Sequence, residues 1–473
     1  MNDRQDQLIA AALERCGPKA VITDPHDIEP WLTDWRGRYR GRSRAILAPA
    51  STAEVSGLVA LASEFGVPLV PQGGNTSMCG GATPPEDGAA LILSLRRMNK
   101  LRSISAADRS AVVEAGVILA DLHDRAAEVG CRFPLTLGAR GSCTIGGLIA
   151  TNAGGTQVLR FGTMRALVAG VEAVLPDGSI HDGLAALKKD NRGYSLDQLL
   201  VGSEGTVGVI TAASLRLVPA VTGRTVAWAG VSTPQRALDL LRFLQDRSDA
   251  VEGFEIIPAD TLDLVLQHIP GTRNPLSGRH AWHVLIEATT TSDEEGLRSD
   301  VEQYLSAALE AGLIGDATIA ANETQAEAFW HMRDSIAEAE RAHGASLAHD
   351  ISVPVADMPR FMVEAGEAVE RAFPDTRVGA FGHLGDGNVH FHVHVRDPGS
   401  GWAWNNDRGQ AISRLVYDLV TQAGGSISAE HGIGQAKVEE FERLAPPARV
   451  SAVRAIKRAL DPTGIMNPGK LVR

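Results

Sequence analysis

Short helices and short buried strands alternate over the first 220 residues. Ala53–Ala62 repeats its apolar residues at helical spacing, and Val67–Val70 then has the composition of a short buried strand. Ser110–Val117 and Ala169–Leu175 predict further strands, and the second strand closes in a Pro-Asp-Gly turn. Glycine is dense where these strands end. The pattern predicts helices packed on sheets, with glycine-rich loops at the strand ends.

Longer elements begin near residues 219–223, where the glycine-rich pattern stops. Strands such as His283–Glu287 separate three stretches of helical spacing: Pro234–Leu244, Glu294–Ala311 and Gln325–His343. Helices against an antiparallel sheet are the packing typical of this order. The remaining residues read as a helical tail. We therefore predict an α+β protein with three segments: 1–221, 222–425 and 426–473.

Composition and charge exclude several classes of protein. The 473 residues exceed what one hydrophobic core normally serves, and 44% hydrophobic with 22% charged residues is typical of a soluble globular protein. A net charge of -12 argues against nucleic acid as a partner and against tight binding to anionic lipid, because both need a concentrated basic surface. No apolar run approaches the roughly 20 residues of a membrane span.

The cysteines and the first residues give an expectation of the cellular compartment. Cys16, Cys79, Cys131 and Cys143 are not spaced as a zinc knuckle or a redox pair, which indicates reduced structural thiols. The first ten residues carry acids and lack the long apolar core of a signal peptide. We therefore expect a cytoplasmic protein.

A histidine-rich hairpin is the strongest chemical signal. If Asp386-Gly387 forms a two-residue turn in the stretch Gly382–His392, His383 lies directly opposite His390. Opposed side chains are roughly 5 Å apart at Cβ, so two imidazoles can share one ion. Strand alternation puts His392 and His394 on the same face, which is a costly way to line an ordinary core. The hairpin predicts a metal site.

Three glycine-rich segments lie in the first part of the chain. They are Pro71–Gly81, Leu137–Gly155 and Gly202–Thr211. Adjacent glycines let the backbone adopt positive φ and present N–H groups to an anion such as a pyrophosphate. Each segment alone also fits a structural turn, but three in one domain favour a large ligand lying against the backbone. Neither the Rossmann nor the P-loop fingerprint is present.

Together with His-x-Gly-Asp-Gly-Asn-x-His and Glu430-His431-Gly-Ile-Gly, these segments resemble a known family. The chain is similar to the vanillyl-alcohol oxidase superfamily with its PCMH-type FAD-binding domain, and within it to the D-2-hydroxyacid dehydrogenase branch. The resemblance implies an FAD-binding domain of two α+β subdomains, a substrate domain of antiparallel sheet and helices, and a helical C-terminal segment that completes the active site.

The resemblance also implies the cofactor and its contacts. Some superfamily members tether the flavin through a histidine in the first loop, but this chain has Asn75 there, so FAD is expected to bind non-covalently. The expected FAD contacts are Pro71, Gln72, Gly73, Gly74, Asn75, Thr76, Ser77, Gly138, Ser142, Thr144, Gly147, Asn152, Gly154, Glu204, Gly208, Ile210 and Asn467.

The resemblance assigns the catalytic residues as well. It implies a divalent metal on His383, His390 and Glu430, with zinc as the first choice and manganese or iron also fitting. His431 is then the general base, the alternative being a solvated or supporting histidine. Arg333 binds the substrate carboxylate, the alternative being a surface arginine paired with an acid. Asn388 and His392 are expected to contact the substrate.

The expected reaction is oxidation of a D-2-hydroxy acid, of the D-2-hydroxyglutarate or D-lactate class, to the 2-oxo acid. Hydride goes to flavin N5 and electrons leave to an external acceptor other than NAD: a quinone, a cytochrome or an electron-transfer flavoprotein. Members that act on dicarboxylates commonly carry a lysine where this chain has Ala348, and often an asparagine at the position of His392, so the substrate stays open. The oligomeric state also stays open, a homodimer being one candidate. A metal-independent alcohol or aryl-alcohol oxidase and a non-catalytic flavin-binding subunit are the alternatives.

Overall fold

The computed structural model describes residues 2–185, 187, 189–397 and 403–473. The chain divides into two compact units. The first comprises Met1–Gly155, Phe161–Ala220 and Glu430–Arg473, and the second comprises Thr156–Arg160 and Val221–Ala429. Both units combine helices with sheets, which confirms the α+β class. The three predicted segments stay a prediction; in this division the C-terminal residues from Glu430 onwards group with the first unit.

The first unit contains two main sheets and a small one. The four-stranded sheet has the order β1-β2-β4-β3, the five-stranded antiparallel sheet has the order β5-β6-β10-β8-β9, and β7 pairs with β11. The strands, numbered along the chain, are β1 Val21–Ile22, β2 Ile46–Leu47, β3 Leu69–Gln72, β4 Leu91–Ser94, β5 Leu101–Ser105, β6 Ser110–Glu114, β7 Cys131–Arg132, β8 Val168–Val174, β9 Ile180–Asp182, β10 Val209–Arg216 and β11 Val218–Pro219.

Helices cover these sheets, and their ends follow from the local sequence. In α3, Ser51 accepts the Glu54 N–H while the Glu54 carboxylate accepts the Ala50 N–H, and Gly66 ends the helix at φ 61°. The helices of this unit are α1 Asn2–Cys16, α2 Pro25–Ile28, α3 Thr52–Phe65, α4 Leu119–Ala127, α5 Ile145–Thr151, α7 Met164–Leu167, α8 Leu196–Leu200, α16 Val438–Leu444 and α17 Pro447–Leu460. The single turn α6, Val158–Phe161, lies where the chain passes between the units.

Two large apolar clusters lie in the first unit. Leu58 and Val59 of α3 pack with Leu91 and Leu93 of β4 in one cluster. Ile145 of α5 belongs to a second cluster on the five-stranded sheet. Two separate cores in one unit agree with the expected pair of α+β subdomains.

The second unit is built on one antiparallel sheet of seven strands, in the order β15-β12-β14-β13-β17-β18-β16. The strands are β12 Gly223–Val231, β13 Val251–Pro258, β14 Trp282–Thr290, β15 Asp316–Ile319, β16 Ser346–Ser352, β17 Thr376–His383 and β18 Asn388–Val395. The helices are α9 Pro234–Gln245, α10 Ala259–His268, α11 Glu294–Glu310, α12 Glu323–Asp334, α13 Ile336–His343, α14 Met358–Ala372 and α15 Ala403–Gln422. The helix predicted over Gln325–His343 is two helices, separated at Ser335.

Candidate active site

The hairpin between β17 and β18 differs from the predicted one. Four residues, Leu384–Gly387, form the loop, so His383 pairs with Asn388, and His390 pairs with Phe381. The predicted pairing of His383 with His390 is therefore wrong. The Leu384 N–H donates to Phe254 O on β13 (3.0 Å), which takes Leu384 out of the hairpin ladder.

The two histidines still meet, because the register error is two residues. Side chains along a strand alternate with a period of two, so a shift of two keeps His383 and His390 on the same face. Their ring centroids are 5.4 Å apart, and a ring nitrogen of one lies within 4.8 Å of a ring nitrogen of the other. His392 and His394 continue the row on that face, with neighbouring centroids 6.3 and 6.4 Å apart.

Glu255 supports this pair, and sequence reasoning missed it. Glu255 on β13 lies directly opposite His383 on β17, and its Oε1 accepts the His383 Nδ1–H at 2.5 Å. Burial opposes its ionisation, but Arg333 and His383 outweigh burial and hold the pKa of Glu255 well below its usual range. The available signal was a strand, β13, that carries two acids, Glu252 and Glu255, among mainly apolar residues, since buried acids are rare unless paired.

Arg333, at the end of α12, completes the cluster. Its Nε donates to Glu255 Oε2 at 2.8 Å, and one terminal nitrogen lies 3.4 Å from Nε2 of both His383 and His390. A guanidinium can only donate, so both Nε2 atoms act as acceptors. Burial, together with Arg333 and His383, lowers the pKa of His390 well below its usual value. Both rings therefore present the lone pair with which imidazole binds a metal.

The donor set fits a metal ion. A ligating histidine almost always donates its other ring N–H to a carboxylate or carbonyl, which fixes its tautomer and orientation. His383 has this partner in Glu255, and a ring nitrogen of His390 lies beside its Nε2.

Arg333 is paired with an acid, as its alternative role predicted. Its side chain, however, is only 13% exposed, so it is not a surface arginine.

Asn388 and His392 have defined internal partners in the second unit. The Asn388 Nδ2 group donates to Asp350 Oδ1 and Ile351 O, both at 3.0 Å, while its buried Oδ1 has no hydrogen-bond partner among the described residues. His392 Nδ1 donates to Glu340 Oε2 at 2.5 Å, and Ala348 lies directly opposite His392 on β16. The two departures from the family pattern are therefore cross-strand neighbours.

The Glu-His pair begins the last segment of the first unit. Glu430 directly follows Ala429, whose N–H donates to Asp350 O at 3.4 Å in the second unit. Both Glu430 and His431 are half-buried, and their ligand atoms lie within 4.8 Å of each other. Gly432 and Gly434 have φ of 76° and 55°, so the chain turns sharply just after this pair.

The glycine segments of the first unit meet one another. A Cβ on Gly73 would lie 2.1 Å from Thr144 Oγ1, and one on Gly74 would lie 1.9 Å from Ser142 O. Neither glycine has a positive φ; that conformation falls on Asn75, at 55°. The expectation that Gly73 and Gly74 supply positive φ is wrong, because close approach of two chain segments requires them instead.

Several of the expected flavin contacts have internal roles in the first unit. Asn152 Oδ1 accepts from Thr163 and from the Arg165 N–H, and the Glu204 carboxylate accepts two backbone amides. A Cβ on Gly208 would lie 3.1 Å from Val174 O. Their contacts with FAD stay predictions.

Polar atoms without partners remain where FAD is expected. The Thr144 hydroxyl precedes α5 without capping it, and it is buried without a hydrogen-bond partner among the described residues. Gln72 Oε1 and Asn467 Oδ1 are also buried without a hydrogen-bond partner among the described residues. A Cβ on Gly138 would meet no atom within 4 Å, so internal packing gives no reason for glycine there. Orphaned polar atoms beside bare backbone fit a large polar ligand.

Comparison with known proteins identifies the family. The model of the FAD linked oxidases, C-terminal domain, matches residues 222–471, and that of the FAD binding domain matches residues 43–183. The mitochondrial D-2-hydroxyglutarate dehydrogenase of Arabidopsis thaliana is 36% identical over 460 residues, covering 97% of this chain and 80% of the relative. The mitochondrial D-2-hydroxyglutarate dehydrogenase of Bos taurus is 38% identical over 467 residues, covering 98% of this chain and 83% of the relative.

Solved structures show the same fold. The structure of p-cresol methylhydroxylase with bound substrate matches with a TM-score of 0.75 at 15% identity, covering 99% of this chain and 97% of that chain. This likeness confirms the expected PCMH-type fold.

The cytoplasmic location expected from the sequence is contradicted, since both relatives are named as mitochondrial. The charge of the first residues and the lack of a long apolar run do not select a compartment. Within the described part of the chain, no helix has the length and apolar character needed to cross a membrane.

The two family matches, and two relatives whose alignments cover 97% and 98% of this chain, identify the family. The chain belongs to the FAD-linked oxidase family, in its D-2-hydroxyacid dehydrogenase branch, and is an FAD-dependent oxidoreductase.

Proposed function

We propose that this protein oxidises a D-2-hydroxy acid to the 2-oxo acid with FAD and a divalent metal, and passes the electrons to an acceptor other than NAD. The observation that carries the proposal is the His383–His390 pair, in which both Nε2 atoms are acceptors and Glu255 fixes one ring. A metal site accounts for this arrangement, because a ligating histidine turns one ring nitrogen towards the ion and donates its other N–H to a carboxylate.

The proposed ligands are His383, His390 and Glu430. Two imidazoles and one carboxylate leave a coordination position open, which is the ligand set of a catalytic rather than a structural zinc site; manganese or iron also suits it. Chain continuity supports Glu430, because it is bonded to Ala429, which binds Asp350, and Asp350 is the cross-strand partner of His390. A metal with an open coordination position would lower the pKa of a hydroxyl group that binds there.

His431 is proposed as the general base. It adjoins a proposed metal ligand, and a dication bound there would disfavour imidazolium, so the ring would stay neutral and able to accept the proton of the substrate hydroxyl. Arg333 is proposed to bind the substrate carboxylate. Glu255 fixes its Nε and so sets the orientation of the guanidinium plane, whose geometry suits a planar anion.

FAD is proposed to lie against the glycine segments of the first unit, held non-covalently by Thr144, Gln72, Asn467 and the bare backbone at Gly138. When bound, FAD accepts the hydride released from C2 of the hydroxy acid. The chain's own residues bind the flavin and orient the substrate. An external partner is needed to reoxidise the flavin, and a quinone, a cytochrome or an electron-transfer flavoprotein each suits this role.

The substrate class is D-2-hydroxyglutarate or D-lactate. Both relatives described above are named for D-2-hydroxyglutarate. The pairing of Ala348 with His392 bears on the choice, because a small residue stands opposite an imidazole that Glu340 already holds. A distal carboxylate next to this acid gains less than one facing a lysine, so Ala348 and His392 weaken the case for D-2-hydroxyglutarate.

One observation favours a second candidate, a metal-independent alcohol oxidase. Arg333 already satisfies the Nε2 lone pairs of His383 and His390, so the cluster is electrostatically complete without an ion. Such an enzyme would use Arg333 and His431 but no metal.

Flavin bleaching under anaerobic conditions tests both candidates. The purified flavoprotein is mixed with D-lactate, D-malate and D-2-hydroxyglutarate, and with their L enantiomers as controls, before and after metal removal. We expect loss of yellow colour with at least one D acid, slower bleaching after chelation, and recovery on adding zinc or manganese. Bleaching that survives chelation supports the metal-independent oxidase. A flavin that no hydroxy acid bleaches indicates a non-catalytic subunit.

A further inference from the structure

One buried carboxylate binds the loop that carries His431. Glu204 accepts the Ile433 N–H through Oε1 at 2.8 Å and the Gly434 N–H through Oε2 at 2.7 Å. Glu204 is 8% exposed, and a Cβ on Gly432 would lie 2.9 Å from its Oε1. The loop Glu430–Gly434 therefore packs directly on the carboxylate, with no room for a side chain between them.

The backbone of Glu204 is itself fixed. Its φ is 53°, a left-handed conformation that is strained for a non-glycine residue and persists only where the surroundings impose it. Here the Glu204 N–H donates to Ala150 O at 2.8 Å, and the Glu204 carbonyl accepts from Asn467 Nδ2 at 2.7 Å. The carboxylate is thus presented from a rigid position.

A second chain segment holds the same loop. Cys79 O accepts the Gln435 N–H at 3.0 Å and the Ala436 N–H at 3.2 Å. A Cβ on Gly434 would lie 2.2 Å from this carbonyl oxygen, so only glycine fits there. The segment after His431 is bound on one side by Glu204 and on the other by Cys79.

Buried cations accompany the carboxylate. Burial raises the pKa of Glu204, and the two amides together with Lys437 and Lys470 oppose that effect. Lys470 is 2% exposed, and burial lowers its pKa to about 8 although Glu204 opposes the change. An unpaired buried charge would be strongly unfavourable, and here backbone donors and nearby lysines compensate the charge of Glu204. The carboxylate is therefore able to hold the loop from a buried position.

We propose that Glu204 is a positioning residue. It holds the Glu430–Gly434 loop through the backbone amides of Ile433 and Gly434, and thereby fixes the position of His431. This rests on the proposed role of His431 as the base. Glu204 acts through the loop and does not itself exchange a proton with the substrate.

Glu204→Gln tests this directly, because glutamine keeps the size but turns one acceptor into a donor facing a backbone N–H. We expect the KM to stay near that of the wild type, while the rate of reduction of the bound flavin falls roughly 10- to 100-fold, the range that corresponds to one charge-assisted hydrogen bond. Amide hydrogen exchange should accelerate in the peptide containing Ile433 and Gly434. Glu172→Gln is the matched control, since Glu172 is a partly buried carboxylate of the same unit whose side chain binds Thr52, Arg102 and Thr211.

The exchange and kinetic readouts separate the possible failures. Unchanged exchange in Glu204→Gln overturns the anchoring, and an unchanged reduction rate overturns the positioning role. A wild-type flavin that no hydroxy acid reduces would refute the proposed function, while hydrogen exchange would still decide the anchoring. If Glu204→Gln does not fold, Glu204→Gln with Lys470→Met removes the carboxylate together with one of its two buried lysines. Wild-type exchange at Ile433 and Gly434 in that variant overturns the anchoring, and accelerated exchange supports it.

Discussion

Glu255 and His383 face each other across neighbouring antiparallel strands, and the Nδ1–H of the histidine donates to the carboxylate at 2.5 Å. This bond leaves His383 Nε2 as an acceptor on the side of His390. The same carboxylate binds Arg333, so one acid orients both a proposed metal ligand and the proposed substrate-binding arginine.

Glu255→Gln should weaken metal binding by roughly 10- to 100-fold, the usual effect of losing a carboxylate behind a ligating histidine. The measurement is the apparent zinc and manganese affinity of the metal-free protein. Glu252→Gln is the control, because Glu252 is buried on the same strand but binds Thr289 and Arg160. Equal affinities in the wild type and Glu255→Gln would remove Glu255 from the metal site.

Arg333→Lys should lower kcat/KM for the hydroxy acid by at least about tenfold, the equivalent of one charge-assisted hydrogen bond. A lysine cannot bind Glu255 through a second nitrogen while presenting a planar fork to a carboxylate. Steady-state kinetics check this, with Arg341→Lys on the exposed face of α13 as the control. If kcat/KM does not change, Arg333 has only a structural role.

His431→Ala should keep its yellow colour but reduce its flavin roughly 100- to 10,000-fold more slowly, the usual contribution of a general base. Stopped-flow absorbance with a saturating D-2-hydroxy acid measures the rate. Added imidazole should restore part of it if proton transfer is what the variant lacks. Wild-type reduction rates in this variant would exclude His431 from the mechanism.

Ala348→Lys places a cation directly opposite His392. We expect the ratio of kcat/KM for D-2-hydroxyglutarate to that for D-lactate to rise, because a distal carboxylate gains a counter-ion. Ala348→Met has a similar length without charge and serves as the control. A ratio that rises equally in both variants would indicate shape rather than charge.

His283 should make the stability of the second unit depend on pH. Trp228 Nε1 donates to His283 Nδ1 at 3.1 Å, and burial, with a smaller effect of His280, lowers the pKa of His283 to about 4. A lowered folded-state pKa means that the unfolded chain binds the proton more tightly. The free energy of unfolding is therefore highest above about pH 6.5. It decreases by up to about 3 kcal/mol as the pH falls towards 4.

The variant His283→Asn, which cannot be protonated in this range, should show a weaker decline in melting temperature between pH 7.5 and pH 4.5 than the wild type. His26→Asn replaces an exposed histidine and serves as the control. Parallel melting curves for the wild type and His283→Asn would contradict the prediction.

The sequence by itself determined the local features. Helical spacing located α9 and α11, and strand periodicity put His383, His390, His392 and His394 on one face. That prediction holds although the predicted hairpin loop was wrong. The face on which a side chain lies changes only when the register shifts by an odd number of residues, and the error was two residues. The glycine segments and the two histidine motifs identified the family for the same reason: their information is carried by short stretches of chain.

The tertiary structure decided which distant residues meet. Glu255 is 128 residues from His383, and no local pattern connects them. Gly73 and Gly74 are required because Thr144 and Ser142 approach them, and Glu204 holds Ile433 and Gly434 across 229 and 230 residues of sequence. Periodicity encodes which way a side chain faces, but the partner that it faces is set by how separate elements pack.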